Sequence, residues 1–346
     1  MTAAMSRGRR AARIQSSGLR GWPALLLAIT VLGAAVYAFS PRSIPPFPAT
    51  QVYSGNVLIN DLVRSGSRLL AVGEQGVILM ADDPRGPWHQ VALAQQQRGS
   101  TLTRVAFIDK NTVLAMGHDG WILRSEDRGE TWKEVAFDDS EQAAPLLALA
   151  GPFDGKLYAL GGFGKVLSSA DEGRTWQALK FEGVQDKHLY GMVQGADRSL
   201  LLVGEQGLML RSTDGAKTWQ PLKQIYNGSF FGVLALPSKA WLAYGMRGHV
   251  FVSHDQGQTW QASQLPEKVS LFGGTVTAEG KIALVGEQHA VLVSDDNGAH
   301  FAPASNEQRQ SLDAVLSLGQ GSWLVAGESG IEVIAPSDAG KAGGQP

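Results

Sequence analysis

Apolar runs of four or five residues, each closed by a glycine, recur along most of the chain. In one instance Val113–Met116 ends at Gly117, and Trp121–Leu123 follows across the polar turn Gly117–Gly120. Short runs bounded by tight turns predict strands rather than helices. The closing glycine falls at Gly73, Gly117, Gly161, Gly204, Gly245, Gly286 and Gly327, in steps of 44, 44, 43, 41, 41 and 41 residues. Fifteen residues beyond each of the first six stands an aromatic: Trp88, Trp132, Trp176, Trp219, Trp260 and Phe301. A period of about 40–45 residues made of short strands is that of propeller blades. Seven registers therefore predict an all-β fold, a seven-bladed β-propeller of four-stranded blades spanning residues 49–335.

In the second repeat the four strands are expected at Arg104–Ile108, Val113–Met116, Trp121–Ser125 and Thr131–Val135. The last repeat supplies three, Asp313–Leu318, Trp323–Ala326 and Ile331–Ala335, and no aromatic follows Gly327 at the usual spacing. An open blade would leave an unpaired edge, which proteins avoid. Ala49–Ser54, just ahead of the first repeat, is expected to close it as the outer strand of the last blade.

Ahead of the repeats the pattern changes. Residues 1–20 hold Arg7, Arg9, Arg10, Arg13 and Arg20 and no acid, and residues 21–40 carry no charge. Twenty apolar residues match the length of a membrane-spanning helix, longer than the apolar core of a cleaved signal peptide. The basic flank stays cytoplasmic, which places the rest in the periplasm, anchored to the inner membrane by one N-terminal transmembrane helix. Four prolines in residues 41–48 predict an extended spacer, and residues 336–346 read as a small, polar, flexible tail.

There is no cysteine, so disulfides, thiolate metal sites and a Cys nucleophile are excluded. Setting aside the five N-terminal arginines leaves 25 basic against 32 acidic residues, about −7 for the folded part. Such a charge argues against nucleic acid as a partner, because phosphate neutralisation supplies most of that affinity. No cofactor is implied.

One unit resembles a catalytic motif. Ser-x-Asp-x-Gly-x-Thr-Trp stands at Ser125–Trp132, Ser169–Trp176 and Ser253–Trp260, is shifted by one at Ser212–Trp219, and is degraded at Ser294–Phe301 and Ala81–Trp88. In a turn, an Asp carboxylate accepts local backbone N–H bonds and Gly tolerates positive φ. The Trp covers the seam between blades with its N–H directed outward. Recurrence in nearly every repeat makes Asp127, Trp132, Asp171, Trp176, Asp214, Trp219, Asp255 and Trp260 structural. The unit resembles the Asp box, or bacterial neuraminidase repeat.

Two family resemblances follow. The sialidases carry Asp boxes on six blades, and their activity implies three clustered arginines, a Tyr nucleophile with a Glu partner and an Asp acid/base. Here Arg104 lies at an inner-strand start, but Arg64 is at the far end of its strand and Arg247 is in a turn. The second covers about residues 49–335. "AVGEQGVIL", "LVGEQGLMLRSTDGAKTW" and "LVGEQHAVLVSDDNG" are similar to the photosystem II stability/assembly factor propellers. That resemblance implies a non-catalytic assembly factor docking to a membrane protein, in non-photosynthetic relatives an envelope transporter or its assembly. A glycan-binding or glycosidase propeller, and a permanent subunit of an envelope export machine, are the alternatives.

The turns joining second and third strands share a face with the loops between blades, opposite the Asp boxes. Glu74, Glu205, Glu287 and Glu328 recur directly after the glycine, which descent from one ancestral blade explains. His118, Asp119, Phe163, Arg247 and His289 break that repeat and are the more informative binding candidates. The interblade loops add Arg98, Arg104, His188, Tyr190, Tyr226, Phe230, Phe231 and Phe272. Aromatics with arginine mark binding hot spots, yet an aromatic at a strand start is more often core, so at least half of these are expected to be buried. His118, His188 and His289 come from different blades and could meet near the axis, but no paired spacing supports a metal. His89, His249 and His300 read as packing or surface.

Overall fold

A computed structural model of the chain describes residues 22–40, 57–94, 99–138, 140, 143–184, 186–304 and 309–335. The N-terminal unit contains one helix, Trp22–Phe39, with 18 residues, no charge and no buried residue. At 1.5 Å per residue it is roughly 27 Å long, so it is long and apolar enough to cross a membrane.

The second unit is the seven-bladed propeller. Six sheets of four antiparallel strands cover residues 59–90, 102–136, 146–179, 189–221, 230–262 and 271–303. A seventh, of three strands among the described residues, covers 312–334. In blade 2 the strands are Leu102–Phe107, Val113–Gly117, Ile122–Ser125 and Lys133–Ala136, within two residues of the expected bounds. The closing segment Ala49–Ser54 lies outside the described residues, as do 1–20, 41–48 and 336–346.

The second strands explain why the apolar runs are continuous rather than alternating. VLAMG, LLLVG, WLAYG and IALVG are buried at every position, because each blade is covered on both faces by its neighbours. The core accordingly divides into seven clusters, one per seam. Leu70 and Val72 pack with Leu102 and Trp121 between blades 1 and 2. Ile59, Leu62 and Leu69 pack with Ala314, Leu324 and Ala326 between blades 1 and 7, so the ring is closed by side chains.

The glycine ladder has a single steric cause. Backbone at these glycines is extended, as at Gly117 (φ −173°) and Gly286 (φ −175°), so conformational freedom is not the reason. A Cβ on Gly117 would lie 1.9 Å from the Thr101 carbonyl oxygen, and one on Gly286 1.9 Å from that of Ser270. At all seven positions the nearest atom is such a carbonyl, at 1.9–2.4 Å. The same carbonyl accepts the N–H of the next residue, as in His118 N to Thr101 O (2.9 Å) and Glu287 N to Ser270 O (2.9 Å). Each glycine thus lets the segment entering the inner strand lie against the second strand.

The Asp box fastens the opposite end. Ser125 Oγ donates to Asp127 Oδ1 (2.7 Å) and accepts from Gly129 N (2.8 Å), while Asp127 accepts from Thr131 N (2.9 Å) and Oγ1 (2.5 Å). In blade 6 the His300 ring replaces the Thr hydroxyl, 2.7 Å from Asp296 Oδ2. Thr175 and Ser169 hydroxyls and backbone N–H groups hold the Asp171 carboxyl well below the usual carboxylate range. Gly129 and Gly173 press on Leu70 and Leu114 of the preceding blades, where a Cβ would come within 2.8 Å. In blade 4 Ala216 takes that place at φ 68°, with its N–H on Ser212 Oγ (3.0 Å). Trp132, Trp176, Trp219 and Trp260 lie over interblade seams. Their N–H groups do not point outward: Trp132 Nε1 donates back to Gly129 O (2.9 Å), and those of Trp176, Trp219 and Trp260 are buried without an acceptor among the described residues.

Gly286→Ala is expected to destabilise by about 3 kcal/mol, because the new methyl meets backbone rather than a yielding side chain. Gly280→Ala, at φ 89° with open space around it, is expected to lose only about 1 kcal/mol. Denaturant midpoints followed by Trp fluorescence test the order; equal losses would contradict the steric assignment.

Candidate binding face at the channel mouth

The second-to-third-strand turns are single 3-10 turns, Glu74–Gly76, His118–Gly120, Gly162–Gly164, Glu205–Gly207, Met246–Gly248 and Glu287–His289. Their middle residues Gln75, Asp119, Phe163, Gln206, Arg247 and Gln288 all sit at φ 53–57°, in the left-handed region. The repeated glutamates have a mechanical task. Glu205 Oε2 accepts from His188 N (3.1 Å), Glu287 Oε2 from Ser270 N (2.8 Å) and Glu328 Oε2 from Ser311 N (3.3 Å). They tie down the segments entering the inner strands, as repetition by descent would require.

Each inner strand carries a β-bulge at its second residue. Pairing runs Leu102 to Gly117, then Arg104 to Met116, skipping Thr103. The same skip occurs at Asn60, Leu147, Tyr190, Phe231, Phe272 and Asp313. A bulge re-aims its side chain, and these seven half-buried residues line the mouth in blade order. On blades 1 and 2 they clamp neighbours: Asn60 Nδ2 donates to Leu102 O (2.7 Å) and Thr103 Oγ1 to Leu146 O (2.6 Å). On blades 4 to 6 they are aromatic and touch. Tyr190 and Phe231 meet at 5.3 Å between ring centres, Phe231 and Phe272 at 5.4 Å. His188 continues the row to Phe163, 6.2 Å from Tyr190 and 5.0 Å from Phe163. Phe163, on its turn, is 66% exposed.

Below this arc the lumen is polar. Asp61 accepts from Leu62 N (3.0 Å) and Val105 N (2.9 Å), and Arg104 Nη1 donates to Thr103 O (3.0 Å). Burial raises the Asp61 carboxyl above its ordinary value against the pull of Arg104 and its own backbone bonds. Burial likewise lifts Asp313 to about 6; Arg104 opposes the rise and Glu328 adds to it. Tyr244, a second-strand residue only 5% exposed, is pushed up to about 12 by burial. Its hydroxyl passes over Gly232, where a Cβ would lie 2.2 Å away, and senses Arg104 and Asp61 across the lumen.

The structure thus brings together Arg104, Phe163, His188, Tyr190, Phe231 and Phe272, and adds Asp61, Tyr244 and Asp313, which sequence reading passed over. The expectation that half of the interblade candidates are buried is corrected: of those described only Phe230 is buried, because the bulge turns its neighbours into the lumen. Tyr226 faces elsewhere, stacked on His249 at 3.9 Å and packed against Phe230. The three histidines do not form a group. His118 is exposed on its turn, His188 joins the aromatic arc, and His289 is buried at φ 61° with Nε2 2.5 Å from Glu332 on blade 7. Asp119 Oδ2 accepts from Ser100 Oγ (2.5 Å), Arg247 is exposed, and Glu74 lies exposed at its turn. Arg98 lies outside the described residues. Among the described residues no group of three His, Asp or Glu could hold a metal. A separate groove of about 660 Å³ flanks blade 4, lined in part by Lys187, Leu208, Trp219 and Gln224.

A family profile described as the BNR/Asp-box repeat matches residues 251–262, on the blade 5 box. The fold is a β-propeller that carries Asp-box turns. A second profile, the DUF6242 beta propeller domain, matches residues 87–230 of it. No curated protein sequence matches significantly. Among solved structures, the propeller is similar to YCF48 bound to D1 peptide: 17% identity, 86% of this chain and 99% of that one, TM-score 0.66. It is also similar to YCF48 from Cyanidioschyzon merolae, at 14% identity over 82% and 97% of the two chains, TM-score 0.62. Streptogramin B lyase matches at 11% identity over 82% and 94%, TM-score 0.67. These matches show the propeller fold, and an enzyme among them shows that the fold alone does not settle catalysis.

The raised Asp313 carboxyl has a testable consequence. Its folded value of about 6 exceeds the ordinary value near 4. Folding therefore favours its protonated form, and stability from this group is present below pH ~4 and lost as pH rises through ~6. Asp313→Asn is expected to stabilise by roughly 1–2 kcal/mol at pH 8, after allowance for solvent screening, and hardly at all at pH 4. Paired denaturation curves at the two pH values check this.

Proposed function

We propose that this protein is a non-catalytic, membrane-anchored scaffold whose propeller lies in the periplasm and holds a segment of an inner-membrane protein complex, an envelope transporter or its assembly intermediate, at the channel mouth. The observation that carries the reading is the unbroken aromatic row from Phe163 to Phe272 on one face. Interface hot spots concentrate in such aromatics, whereas the other face is occupied by Asp-box turns with internal bonding. A YCF48 propeller bound to a peptide supports peptide capture by this architecture. The apolar helix Trp22–Phe39 supports anchoring beside a membrane partner.

A glycosidase is the weaker reading. Arg104 is the one arginine at the lumen among the described residues, and both Asp61 oxygens accept backbone N–H groups, leaving that carboxylate a poor proton shuttle.

Tagged full-length protein purified in mild detergent should retain a membrane protein identifiable by mass spectrometry. The double substitution Phe163→Ala with Tyr190→Ala should reduce its yield at least fivefold, while Lys217→Glu in an Asp-box turn leaves it unchanged. Equal effects, or no partner from either membrane or periplasm, would remove this reading.

A further inference from the structure

Going round the mouth, blades 4, 5, 6 and 7 present Tyr190, Phe231, Phe272 and Asp313 in consecutive bulge positions. Three touching rings are followed by one carboxylate. Blades 6 and 7 approach so closely here that a Cβ on Gly273 would lie 2.3 Å from the Asp313 carbonyl oxygen. This carboxylate has no ion-pair partner within 4 Å among the described residues: the nearest influences are Arg104, attractive but unbonded to it, and Glu328, repulsive. Arg104 is itself shared with Asp61. Two carboxylates, Asp61 and Asp313, thus share one guanidinium, with Glu328 on the rim. Aromatic ring faces are also electronegative. Every element but Arg104 favours a positive guest, and that one cation is outnumbered.

We propose that the mouth is a recognition site for a basic side chain, a lysine ammonium or arginine guanidinium, projecting from the bound partner segment, with Tyr190, Phe231 and Phe272 walling the alkyl stem and Asp313 pairing the charge. This rests on the channel mouth being the partner-binding face and names what that face selects. Cation–π contact and a partly desolvated carboxylate act together on one cation. An apolar guest would leave Asp313 unpaired, and an acidic guest would meet Asp313 and Glu328 as like charges.

The test uses full-length protein in detergent and four capped decapeptides of Gly and Ser that differ only at the central residue: Lys, Arg, norleucine or Glu. Calorimetric titration is expected to rank Lys and Arg at least tenfold tighter than norleucine, with Glu weakest. Asp313→Asn and Phe231→Leu, each checked by near-ultraviolet circular dichroism for an intact fold, should reduce Lys-peptide affinity at least fivefold. Norleucine binding as tightly as Lys, Glu binding best, or no peptide binding would each overturn the assignment. Loss of the native partner from the Phe163→Ala/Tyr190→Ala protein with no Lys preference would sink this inference alone. A Lys preference with partner capture unaffected would instead sink the reading of the mouth as the partner face.

Discussion

In every blade a second-strand glycine lies hard against the carbonyl at the start of the inner strand. That distance leaves no room for a methyl group at any of seven positions. The contact does two things at once. It aligns the inner strand so that its first residue, a large apolar side chain such as Leu102 or Phe230, is fully buried. It also forces the next residue out of register as a bulge. The lumen lining follows from this, since bulged side chains are the ones turned toward the axis. A steric constraint in the framework thereby becomes the device that displays seven variable residues in a ring.

The two faces of the disk divide the labour accordingly. At one end, Asp boxes lock the third strand to the fourth and press their glycines onto the preceding blade. Their Ser, Asp and Thr side chains are engaged in hydrogen bonds within the box. At the other end, the glycine contact and the repeated Glu bonds hold the backbone, leaving the bulge and turn residues to vary. Stability is thus spread over seven similar seams, and the mouth is the face where we propose recognition to lie.

Architecture was legible from sequence because it is periodic: the glycine steps and the aromatic fifteen residues on follow directly from the packing just described. The Asp box was legible as structural for the same reason. The site was legible only in part. Tyr190, Phe231 and Arg104 stood out by residue type, but their burial was misjudged, because a bulge depends on pairing register and leaves no local signature. Asp61, Tyr244 and Asp313 were passed over. A signal for Asp313 existed: aligning the seven inner strands shows a column Asn60, Thr103, Leu147, Tyr190, Phe231, Phe272, Asp313 that changes chemistry beside one that stays apolar. Tyr244 was hidden by its place in an apolar run, its reach into the lumen being set by the missing side chain of Gly232. His289 looked like a lumen residue and is instead a buried tie between blades 6 and 7.

The central claim is that one face of the propeller engages a membrane partner through the mouth. The most direct measurement is photo-cross-linking in intact cells, with a benzoylphenylalanine placed at Phe163 in one strain and at Lys217, in the Asp-box turn of blade 4, in another. One discrete membrane-protein adduct is expected from position 163 and none from position 217. Adducts of equal yield from both positions, or from 217 alone, would contradict it.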